Sequence, residues 1–131
     1  MAAAAHRVDN LTAILDRNRI QNDDFVDNVL PMEPLAAKWE AFGWQVVEID
    51  GHDMAQVVSA LEGSRAVKGK PVVIIAHTVK GKGVSFMENN PAWHGRAPND
   101  QEAAQAFAEI ERRTTDYADY TDDADWADKR T

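Results

Sequence analysis

Between the breakers Gly69 and Pro71 and the polar run that begins at His77 lies Val72-Val-Ile-Ile-Ala76, five residues without a polar side chain. A strand apolar at every position needs cover on both faces, which marks a central strand of a parallel sheet. Leu11-Thr-Ala-Ile-Leu15 is a second short apolar run, closed by the polar cluster Asp16-Arg-Asn-Arg19, and predicts a buried strand followed by a loop. Trp44-Gln-Val-Val-Glu-Ile-Asp50 has the same character. Between these runs the period changes. Leu35, Trp39 and Phe42 share one helical face, with Pro34 at a tolerated first-turn position and Gly43 as the stop. Met54, Val57, Val58 and Leu61 share another, behind Asp53 as a candidate N-cap. The alanine-rich segment Ala2 to Val8 predicts the end of a helix. Asp100 to Arg113 predicts a further helix, with Ala103, Ala106, Phe107 and Ile110 on one side.

Strands alternating with helices in this order predict an α/β fold, a partial parallel sheet flanked by helices, because parallel neighbours need crossover connections. Ligands of such sheets bind at the carboxyl ends of the strands. Two polar loops follow strands there, Asp16 to Gln21 and His77 to Gly83, and a long loop runs from Val84 to Asn99. A loop of that length in a small domain is either functional or mobile. No internal repeat is visible.

Composition narrows the picture. The 131 residues suit one core, and with 44% apolar and 27% charged residues a packed, water-soluble domain is expected. The net charge of −8 argues against a nucleic-acid partner, since binding phosphate backbones needs a basic footprint. Asp116, Asp119, Asp122, Asp123, Asp125 and Asp128 crowd the end of the chain, so residues 114–131 read as a disordered acidic tail and residues 1–113 as the domain. With no cysteine, thiolate chemistry, disulfides and cysteine-ligated metals are excluded, and the cytoplasm is the default compartment. No stretch is long and apolar enough for a signal peptide or a membrane span.

From the residues alone the candidate chemistry stays open. Asn18 in a post-strand loop reads either as a ligand or as an asparagine that closes a turn on its own backbone. His77 and Lys80-Gly-Lys-Gly83 can meet a diphosphate or form a solvated basic turn. His94, between Trp93 and Gly95, is either catalytic or incidental. His6 and His52 have plain readings, and Trp39, Phe42, Trp44 and the helical methionines read as core.

Taken in order, Asp9-Asn-Leu-Thr-Ala-Ile-Leu-Asp-Arg-Asn18-Arg-Ile20-Gln21, Pro34-Leu-Ala-Ala-Lys-Trp-Glu-Ala-Phe-Gly-Trp44, Ile49-Asp-Gly-His-Asp53, His77-Thr-Val-Lys-Gly-Lys-Gly83 and Trp93-His-Gly95 resemble the transketolase family, above all the separate amino-terminal subunits of split transketolases. The resemblance runs from Met1 to about Glu111. It implies a thiamine-diphosphate-binding fold, here truncated, with a magnesium ion bridging the cofactor to the protein. Asn18 would ligate that ion through its side chain and Ile20 through its carbonyl, both oxygen donors suited to a hard cation. Lys80 would hold the diphosphate. His94 would lie near diphosphate and substrate, as a cofactor-binding and catalytic residue that stabilises charge or moves a proton.

The family also carries a Gly-Asp-Gly motif upstream of the Asn18 position and a second domain that activates the cofactor, and neither is in this sequence. The expectation is therefore a fragment or truncated transketolase subunit, inactive alone. Its parent would transfer a two-carbon ketol unit between sugar phosphates, as in the pentose phosphate pathway, in a homo-oligomer that includes a carboxy-terminal transketolase subunit. Two alternatives stay open: another thiamine-diphosphate enzyme such as deoxyxylulose-phosphate synthase, and a non-catalytic binding or assembly remnant.

Overall fold

The computed structural model describes residues 1–121, with side chains described through Arg113. Three parallel strands form the centre: β1 (Thr12–Arg17), β4 (Gln45–Asp50) and β5 (Val72–His77), in the order β1-β5-β4. The apolar run is the middle strand, as its pattern requires. Val72, Val73, Ile74 and Ile75 are each no more than 1% exposed. Alternate residues of β5 face opposite layers. Val72, Ile74 and Ala76 pack with Ile49 and Ala60 beneath α4 (Met54–Ser64), while Val73 and Ile75 pack with Trp44 and the half-buried Leu35 and Trp39. The latter two ride on α3 (Leu35–Ala41), and Ala3 and Ala4 of α1 (Ala2–Ala5) join the same layer. Trp39 meets Trp44 edge to face, with ring centroids 4.9 Å apart.

Local chemistry explains the boundaries. Asp53 caps α4, its carboxylate accepting from the backbone N–H groups of Ala55 (2.9 Å) and Gln56 (3.2 Å), which satisfies two otherwise orphaned donors. Gly43 ends α3 at φ 84°, a left-handed position that favours glycine. Gly51 follows β4 where a Cβ would lie 2.6 Å from Thr78 Cγ2, so the loops after β4 and β5 approach closely only because the side chain is missing.

Several expectations are corrected. The first strand is not buried throughout: Ile14 is 62% exposed and Leu11, just before β1, is 40% exposed, because β1 is an edge strand whose Ala13 and Leu15 pack on the α1–α3 side. α4 turns Val57, Ala60 and Ser64 inward, so Met54, Val58 and Leu61 lie exposed on its flank. Phe42, expected in the core with the tryptophans, is 47% exposed at the end of α3. The loop after β1 is not structureless. It forms a small hairpin, β2 (Ile20–Gln21) with β3 (Asp24–Phe25), leading into α2 (Val26–Val29). The loop after β5 is held by local contacts, among them a 3-10 helical turn at Pro91–Trp93 and a Phe86–Trp93 ring pair.

The last helix, α5 (Asp100–Thr121), continues past Arg113, since no glycine or proline interrupts it and adding a residue to an existing helix costs little. The expectation of a disordered tail lies, for residues 122–131, outside the described residues. No helix among the described residues is long and apolar enough to cross a membrane.

Candidate functional site

Parallel register places Arg17, His77 and Asp50 side by side at the carboxyl end of the sheet. The loops that continue from them carry the residues singled out from the sequence, and hydrogen bonds tie those loops together. Thr78 Oγ1 donates to Asp16 Oδ1, joining the loop after β5 to the end of β1. The backbone N–H of Val79 donates to His52 Nε2 at 2.8 Å, joining the same loop to the one after β4. His52, given a plain reading from the sequence, is thus a structural link.

Asn18 closes a turn on its own backbone. Its Oδ1 accepts from Ile20 N at 2.9 Å and its Nδ2 donates to Asp16 Oδ2 at 3.1 Å, while Arg19 between them sits at φ 64°. The turn reading and the ligand reading coexist, because an amide oxygen has two lone pairs and the turn uses one. Ile20 follows as the first residue of β2. Lys80 stands two residues beyond Thr78, half-buried, and its ammonium has no partner among the described residues. Gly81, at φ 73°, makes room for the tight turn after it, since a Cβ there would lie 2.5 Å from the carbonyl oxygen of Met87.

His94 is exposed and terminates the 3-10 turn, donating its backbone N–H to Pro91 O at 2.9 Å. β3 packs against that turn, so the hairpin after Asn18 and the segment before His94 meet. Arg96 lies 4.2 Å from the Trp93 ring centroid, a cation–π contact that orders the chain on the far side of His94. The structure therefore gathers the loops bearing Asn18, Ile20, Lys80 and His94 at one end of the sheet.

Sequence reasoning missed Arg17. It is only 6% exposed, and its Nε and Nη2 donate to Glu33 Oε1 at 3.3 and 2.7 Å. The other oxygen of Glu33 accepts from Leu35 N at 2.8 Å, at the start of α3. These bonds, the Arg17 side chain first and the Leu35 N–H second, hold the Glu33 carboxyl below its ordinary range. Arg17 Nη1 is buried without a partner. No signal in the sequence pairs residues 17 and 33, because their contact is made by the fold.

The family described as transketolase, thiamine diphosphate binding domain, matches residues 1–115. The chain belongs to the transketolase family. Among its transketolase relatives, the 6-deoxy-6-sulfo-D-fructose transketolase subunit of Clostridium sp. (strain MSTE9) is 42% identical over 112 residues, which are 86% of this chain and 41% of that protein. An apulose-4-phosphate transketolase subunit from Actinobacillus succinogenes is 43% identical over 110 residues, 84% of this chain and 40% of that protein. The human transketolase is 35% identical over 108 residues, 17% of its own length. Among solved structures, transketolase from Campylobacter jejuni superposes with a TM-score of 0.62 at 23% identity, covering 95% of this chain and 23% of that one. The chain thus spans about two-fifths of the subunit-type transketolases it matches. The family and the α/β fold are those that the sequence led us to expect.

Proposed function

We propose that this chain contributes the diphosphate-binding side of a transketolase site, within an assembly that transfers a two-carbon ketol unit between sugar phosphates. The reading rests above all on the convergence of the Asn18, Lys80 and His94 loops at the carboxyl end of a parallel sheet in a thiamine-diphosphate-binding family. When bound, thiamine diphosphate supplies the carbanion chemistry.

The residues present fit such a ligand in part. Asn18 Oδ1 keeps a free lone pair and Ile20 offers a carbonyl, the oxygen donors that magnesium takes. Lys80 is an unpaired ammonium, suited to neutralising a diphosphate oxygen. His94, exposed on an ordered turn, is free to hold or move a proton between the substrate and its surroundings. The described residues contain no group of three or more acidic, histidine or cysteine side chains that could hold a metal. The anionic charge a magnesium ion needs would then come from elsewhere in the assembly, and the chain alone would be inactive.

Relatives that are by name transketolase subunits support a partner subunit. We propose a complementary carboxy-terminal transketolase subunit, in a homo-oligomeric assembly, acting on sugar phosphates in the cytoplasm. The experiment is cofactor titration and ketol transfer in the reconstituted assembly. Asn18→Ala is expected to weaken cofactor binding in a magnesium-dependent way. Lys80→Ala is expected to weaken it without removing that dependence. His94→Ala is expected to lower turnover by roughly tenfold to a thousandfold with little change in cofactor affinity. Unchanged binding in Asn18→Ala together with unchanged turnover in His94→Ala would overturn the assignment.

A further inference from the structure

A cleft of about 540 Å³ opens over the carboxyl ends of the strands, and the residues that line it are not the proposed cofactor set. Arg17, Arg19, Asp50, His52, His77 and Lys82 carry its polar wall, while Asn18, Lys80 and His94 are not among its lining residues. Cations in a chain of net charge −8 have many carboxylates to choose from. Arg19 and Lys82 nevertheless form no close ion pair among the described residues, Arg19 acting on the Glu33 carboxylate only at longer range. The Asn18–Ile20 turn sets the Arg19 backbone in a left-handed conformation that residues other than glycine seldom adopt.

The acids near the cleft accept hydrogen bonds from its own residues. Glu48 pairs with His77 at 2.7 Å, and Asp50 Oδ1 accepts from the His52 backbone N–H at 2.9 Å. Glu33 takes one edge of Arg17 and leaves Nη1 of that guanidinium buried with no acceptor. A buried donor without a partner is uncommon, and it calls for an acceptor. His52 accepts at Nε2 from Val79 N, so its neutral ring carries the proton on Nδ1 and is a donor there. Beside the Asp50 carboxylate the cleft thus offers two cations outside any close ion pair, a guanidinium short of one acceptor and an imidazole N–H, in a volume within the range of small-molecule sites.

We infer that this cleft is a subsite for a phosphate group, either free or carried by a small phosphorylated metabolite, and that it is separate from the cradle of Asn18 and Lys80. Arg19 and Lys82 neutralise the dianion, and the planar fork of a guanidinium suits its tetrahedral oxygens. The site does not depend on the chain's role in ketol transfer.

The test is calorimetric titration of the 131-residue chain with inorganic phosphate at constant ionic strength in a chloride buffer. Arg19→Gln and Lys82→Gln are both at exposed positions, and circular dichroism confirms that each variant keeps its fold. Each is expected to weaken phosphate binding by about tenfold, as loss of one charge-assisted contact requires. Lys80→Gln is expected to leave it unchanged. Parallel titrations with ribose 5-phosphate and ribose identify the source. Tighter binding of ribose 5-phosphate than of phosphate, with none of ribose, supports a phosphorylated metabolite, and equal binding supports the free anion. The inference is overturned if phosphate binds no better than chloride, if Arg19→Gln and Lys82→Gln bind as the parent does, or if Lys80→Gln alone abolishes binding.

Discussion

Arg17 and Glu33 show how one contact can set local behaviour. The Glu33 carboxyl titrates below its ordinary value near 4.5 because Arg17 and the Leu35 N–H both favour its charged form. A depressed folded-state value means that this contribution to stability is complete above the ordinary carboxylate range and is lost as pH falls through the lowered value. Glu33→Gln should therefore be less stable than the parent at neutral pH, with the difference closing as the solution is acidified. Denaturant titrations of both proteins from neutral pH down to the acid limb measure this. A difference that stays constant across that range would show that the ion pair is not its source. Asp53, Glu102 and Glu109 are also lowered by hydrogen bonds, so the acid limb as a whole is shared and only the comparison isolates Glu33.

Glycines at the same scale separate by environment. Gly81 combines a positive φ with a Cβ position 2.5 Å from a backbone oxygen, whereas Gly63 sits in α4 with open space where a Cβ would go. Gly81→Ala should destabilise by about 1–3 kcal/mol through backbone strain, and Gly63→Ala should stabilise by roughly 0.5–1 kcal/mol by removing helix-interior glycine. Thermal unfolding of the two variants gives opposite signs if the loop after β5 is as tightly turned as described.

At the scale of elements, β5 and β1 differ although both read as apolar strands. Ile74 is 1% exposed at the centre of the sheet, and Ile14, opposite it in register, is 62% exposed. Truncating the first removes a fully packed side chain, and Ile74→Ala should cost about 2–5 kcal/mol. Truncating the second removes one already largely in water, and Ile14→Ala should cost well under about 1 kcal/mol in the chain alone. Chemical denaturation distinguishes the two. Equal losses would mean that β1 is covered in solution by something beyond the described residues. The exposed Met54, Val58 and Leu61 of α4 follow the same logic, since their helix buries a different stripe from the one that hydrophobic spacing picked out.

For the whole molecule, the arrangement of donors leads to a prediction about assembly. Asn18, Ile20 and Lys80 provide neutral oxygens and one cation, while no acidic cluster for a metal occurs among the described residues. The isolated 131-residue chain should therefore bind thiamine diphosphate with millimolar magnesium weakly or not at all. Addition of a complementary transketolase subunit should raise the affinity. Micromolar binding by the isolated chain in a calorimetric titration would show that its own residues suffice.

Much of this was legible in the sequence. Val72 to Ala76 could only be a central strand, because five apolar residues in a row cannot present a face to water. Asp53 could be read as a cap because capping is local, reaching two or three residues along the chain. The order of motifs from Asp9 to Gly95 carried the family, because motifs shared by relatives keep their order and spacing along the chain even when the fold that gathers them is unseen. Folding alone decided which apolar residues are covered, since Ile14, Phe42 and Val58 have the same side chains as buried residues and differ only in what lies against them. It alone paired Arg17 with Glu33 and brought Arg19 and Lys82 to one cleft from positions 63 residues apart in the chain. Such contacts depend on three strands in parallel register ending at one level, a property of the sheet that no local stretch of sequence contains.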